Sequence, residues 1–91
     1  MTGNKQQLRI AVQAALNGEW ETAHLIAQDY SDVTANWLHA VLHKIEGDVA
    51  NSHYWYARTS VNGVNAIKYA DFNDVSEELK AILDSLENLK P

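Results

Sequence analysis

The chain contains no cysteine. That excludes disulfides, zinc–thiolate centres and thiol nucleophiles, and it suits a reducing compartment. Proline occurs once, as Pro91, and glycine only four times. So few turn formers favour helices over a set of β-hairpins. No apolar run approaches the ~18 residues of a membrane span. The opening segment Met1–Gln7 lacks the basic stretch and apolar run of a secretory signal. The expected location is therefore the cytoplasm, away from membranes. Basic residues are also sparse: seven Lys and Arg against twelve Asp and Glu give a net charge of −5. A surface of that sign repels phosphate backbones, so nucleic acids and anionic membranes are poor partners.

What is present fits one helical domain over residues 1–91, with 46% hydrophobic and 21% charged residues. Five helices are expected from apolar periodicity. The first spans 4–16, with Leu8, Ala11, Val12, Ala15 and Leu16 on one face and Asn17-Gly18 as its stop. The second spans 19–30, with Trp20, Ala23, His24, Ala27 and Tyr30 inward. The third spans 33–46, with Trp37, Leu38, Val41, Leu42 and Ile45 inward and Asp32 as a cap. The fourth spans 49–60 behind the Gly47-Asp48 turn, with Val49, His53, Tyr56, Ala57 and Ser60 inward. Residues 61–73 form an ordered connection. Residues 74–90 form a C-terminal helix opened by the box-like Asp74-Val75-Ser76-Glu77, with Glu77 and Glu78 on its outer side.

Displaced by 29 residues, the chain resembles itself. Ala11 falls on Ala40, Val12 on Val41, Leu16 on Ile45, Gly18 on Gly47, Glu19 on Asp48, Ala23 on Ser52 and His24 on His53. A duplicated hairpin over residues 5–60 follows, because neither unit buries its apolar face alone. The last helix is suited to cap the stack. Gly18-Glu19-Trp20-Glu21-Thr22-Ala23 resembles the start of the second helix of a tetratricopeptide repeat. Gly47 to Arg58, with Tyr54-Trp55-Tyr56 ahead of the basic residue, is similar to the same region of Sel1-like repeats. The run from Trp20 to Arg58 also resembles a group of small bacterial proteins, a likeness that implies no activity. The repeat families imply an all-α architecture of two tandem antiparallel hairpins and a scaffold that binds protein or peptide.

Two sets of residues can carry function. His39, His43 and Glu46 lie within roughly 60° on one face of the third helix. Two imidazoles and a carboxylate so placed can ligate zinc, nickel or iron, or can hydrogen-bond their neighbours. His24 and His53 recur at matching inner positions, as core residues or as part of a shared polar pocket with the other three. Tyr54, Trp55 and Arg58 form an aromatic, basic-ended segment that cannot all point inward. Trp55 is expected either beneath residues 64–72 or at an interface, a homodimer included. No Gly-rich phosphate loop or nucleophile motif is present. The expectation is a non-enzymatic interaction module without a cofactor, with a metal- or small-ligand-binding protein as the alternative.

Overall fold

The computed structural model describes residues 2–30, 32–59, 69–71 and 73–87, with residues 2–4 and 87 described by backbone alone. The chain is all-α: α1 (Thr2–Leu16), α2 (Trp20–Ala27), α3 (Val33–Ile45), α4 (Val49–Ala57) and α5 (Val75–Glu87). Among the described residues there is no strand, and no helix is long and apolar enough to cross a membrane. Ser60 of the expected fourth helix, most of the expected connection (61–68 and Phe72) and the end of the expected last helix lie outside the described residues.

The turns at Gly18 and Gly47 are two copies of one device. Gly18 has φ 81° and Gly47 φ 87°, the left-handed region that suits glycine. Behind them, Glu19 N–H donates to Ala14 O at 2.8 Å and Asp48 N–H to His43 O at 2.9 Å. Gly18 N–H reaches Ala15 O, and Gly47 N–H reaches Lys44 O, both at 3.1 Å. This paired 6→1 and 5→2 bonding is the Schellman ending, which satisfies the last carbonyls of a helix. Asp48 then caps α4 through Asn51 N–H, Asp32 caps α3 through Ala35 N–H, and Asp74 caps α5 through Glu77 N–H.

α2 and α4 each stop three residues before the periodicity suggests, at Ala27 and Ala57. Beyond them the amides of Asp29, Tyr30, Arg58 and Thr59 bond three residues back, tightening the chain out of the α-helix. Thr59 Oγ1 also donates to Tyr56 O at 2.7 Å, competing for a carbonyl that a continuing helix would use.

α1 packs on α2 and α3 on α4, α2 meets α3, and α5 lies against both α1 and α3. Leu8 and Val12 of α1, Leu38, Val41 and Leu42 of α3, and Leu79, Ile82 and Leu86 of α5 share one core. Each buried leucine contributes about 2 kcal/mol of apolar burial. The 29-residue repeat survives as burial: Ala11 and Ala40, Val12 and Val41, and Ala23 and Ser52 are all at most 1% exposed. It fails at Ile45 and Val49, expected inward but exposed beside the second turn. α3 is central, with every residue from Thr34 to His43 buried.

Glu78, expected on the outer side of α5, is fully buried. Its Oε2 accepts from Trp37 Nε1 at 2.9 Å and Tyr56 OH at 2.5 Å, and its Oε1 from Lys44 Nζ at 2.7 Å. Lys44 also donates to Tyr69 O at 2.9 Å. A carboxylate survives burial only with such a donor set. Burial, followed by the bond to Glu78, pushes the Tyr56 phenol well above its ordinary range. The network ties α5 to α3 and α4, and fixes which way round α5 lies.

Candidate metal centre

His24, His39 and His43 converge where α2 meets α3. The local reason is helical periodicity: Trp20 and His24 are four apart on α2, and His39 and His43 four apart on α3, so each pair shares a face. α2 comes close because its buried residues there, Ala23 and Ala27, are small. Trp20 fastens the seam, its indole Nε1 donating to Leu42 O at 2.6 Å.

His24 Nε2 lies 3.1 Å from His39 Nε2, so one nitrogen donates and the other accepts. The His39 and His43 rings stack at 4.8 Å between centroids, and His24 meets both edge-on, at 4.7 and 5.4 Å. One ligand nitrogen from each of the three lies within 4.8 Å of the others. His43 Nδ1 pairs with Glu46 Oε1 at 2.5 Å. A carboxylate oxygen accepts here, so Nδ1 is the donor, and in the neutral form of the ring Nε2 holds the lone pair.

Two indoles enclose the cluster. Trp20 stacks on His24 at 4.7 Å and 9°, and Trp55 stacks on His39 at 4.1 Å and 11°. Trp55 therefore covers the cluster, whereas the residues 64–68 and Phe72 proposed to cover it lie outside the described ones. Beyond it, Tyr54 is 54% exposed, and the Arg58 guanidinium lies over the Tyr54 and Trp55 rings at 5.5 and 5.6 Å.

Burial lowers the His39 pKa from 6.5 to about 4, with the nearby His24 and His43 adding to the effect. His24 is lowered too, by burial first and His43 second, with Glu46 opposing. Both rings are neutral at pH 7, the form in which imidazole ligates a metal.

Of the residues singled out in the sequence, His39 and His43 meet at the centre and Glu46 stands behind His43. His24 joins them as a third imidazole, the shared-pocket arrangement rather than a plain core position. The i, i+4 Trp20–His24 pair was the available signal. His53, its repeat partner, does not join: it is half-exposed, 3.9 Å from the exposed Asp71. No known protein family, curated protein or solved structure matches the chain.

Proposed function

We propose that this domain binds a divalent transition metal of the zinc class through His24, His39 and His43. The observation that carries the reading is the 3.1 Å approach of two Nε2 atoms from different helices, with a third imidazole stacked beside them. In a tetrahedral site with ~2.05 Å metal–nitrogen bonds, ligand nitrogens stand about 3.3 Å apart. The widest pair, within 4.8 Å, needs to close by roughly 1.5 Å at most. One of the two bonded histidines must move its proton to Nδ1, which frees both Nε2 lone pairs. Glu46 supplies the outer carboxylate that commonly orients a metal-bound imidazole.

Calorimetric titration with zinc tests this directly. Wild type takes up one equivalent, His24→Ala, His39→Ala and His43→Ala each lose it, and His53→Ala keeps it. Equal uptake by wild type and the triple-alanine variant would sink the reading.

A second reading, a scaffold that binds protein or peptide in the manner of tetratricopeptide or Sel1-like arrays, is supported by one feature. Tyr54 and Arg58 are exposed and paired at 5.5 Å, a combination frequent at binding hot spots. Partner capture, or self-association in solution, that is lost in Tyr54→Ala and Arg58→Ala while zinc uptake persists would support it. Capture that is insensitive to both substitutions would remove it.

A further inference from the structure

We infer that the metal held by His24, His39 and His43 keeps one coordination position for a small exogenous anion. The inference rests on the metal reading above and adds what the centre receives.

The first argument is a count of ligands. Among the described residues, His24, His39 and His43 form one candidate ligand set and His43, Glu46 and Asp48 a second that shares His43, and neither has a fourth member. The nearby acids have other duties. Glu46 Oε1 is engaged at His43 Nδ1, which leaves the ring's other nitrogen for the metal. Asp48 accepts from Asn51 N and Asn51 Nδ2, both at 3.3 Å, as the cap of α4. Zinc-class ions take four ligands or more, and three protein ligands leave the remainder to water or substrate.

The second argument is charge. Three neutral imidazoles leave the ion's double positive charge undiminished in the inner sphere. Glu46 offsets it only from behind His43. An anion in the open position therefore gains more than a neutral molecule of the same size. The third argument is shape. The indoles of Trp20 and Trp55 stack on His24 and His39, walling the centre with apolar rings. Beside such walls a compact anion such as hydroxide, azide or a short carboxylate is favoured over a bulky one.

The experiment uses cobalt(II) as the probe metal and azide as the probe anion, on the full chain. Cobalt gives visible d–d bands with the wild type and with His53→Ala. Azide then shifts those bands saturably, by the same amount in wild type and in His53→Ala, whose side chain lies outside the cluster. Cobalt bands that ignore azide would mean the fourth position is filled by the protein and would overturn the inference while leaving metal binding intact. Absence of any cobalt bands would remove the metal reading and this inference together.

Discussion

His43 turns its Nδ1 to Glu46 Oε1 at 2.5 Å and faces His24 and His39 with the rest of its ring. The contact is local, between the last turn of α3 and its C-cap residue three positions on, and needs no second helix to place the two groups within reach. It fixes the tautomer at the seam between α2 and α3. Two helices then have only to dock for the nitrogens to converge.

The first prediction concerns that contact. Glu46→Gln retains shape and removes the charge that orients His43. Zinc affinity should fall by about ten- to a hundredfold, with helical content unchanged, as measured by competition against a chromophoric chelator. An unchanged affinity would show Glu46 to be an ordinary surface acid.

A second prediction follows from the depressed His39. The unfolded chain takes up this proton near pH 6.5, whereas the folded chain takes it up only near 4. Between those values the unfolded state binds more protons, so stability rises with pH and is lost on acidification. The metal-free protein should be at full stability above pH 6.5 and lose on the order of 3 kcal/mol toward pH 4. His24 acts in the same direction. Urea denaturation at pH 7.5 and 4.5 measures the slope. His39→Gln should flatten it, and an unaltered slope in that variant would contradict the assignment.

The helices, their caps and the centre's α3 half were legible in the sequence, and the reasons are local. Leu79, Ile82 and Leu86 mark the buried stripe of α5 by spacing alone, and Asp32, Asp48 and Asp74 announce the helix starts they cap. His39 and His43 share a face for the same reason. The spacing of Trp20 and His24 placed His24 on an inner face, but whether that face met His39 depended on how α2 docks on α3. Glu78 was hidden more deeply. Its polar pattern places it with solvent-facing neighbours, and only Lys44, Trp37 and Tyr56, brought in from α3 and α4, make its burial tolerable.

A third prediction tests that buried carboxylate. Glu78→Ala removes the carboxylate that pairs with Lys44 and orphans the Tyr56 hydroxyl and Trp37 indole N–H. The expected destabilisation is about 3–5 kcal/mol, read from chemical denaturation. In the wild type, the Tyr56 phenol should stay protonated until the chain unfolds in base. Ultraviolet titration showing all the tyrosines ionising before unfolding would contradict the network.

The repeated turns supply a fourth prediction. An added Cβ meets nothing within 4 Å at Gly18 or at Gly47, so only the positive φ opposes substitution. Gly18→Ala and Gly47→Ala should each cost about 1 kcal/mol. D-alanine, introduced by chemical synthesis, should be neutral or stabilising at both positions. A large loss with D-alanine would reveal a contact that the turn geometry does not contain.

The unbroken burial of α3 from Thr34 to His43 has a consequence for how this chain can change. One inserted residue ahead of His39 would rotate everything after it by about 100°. Both imidazoles would leave the α2 seam at the same step in which Val41 and Leu42 left the interior. Evolution or an engineer can therefore retune the cluster only by exchanging side chains in place, because a one-residue change of length in this helix breaks up the imidazoles and the packing in a single stroke.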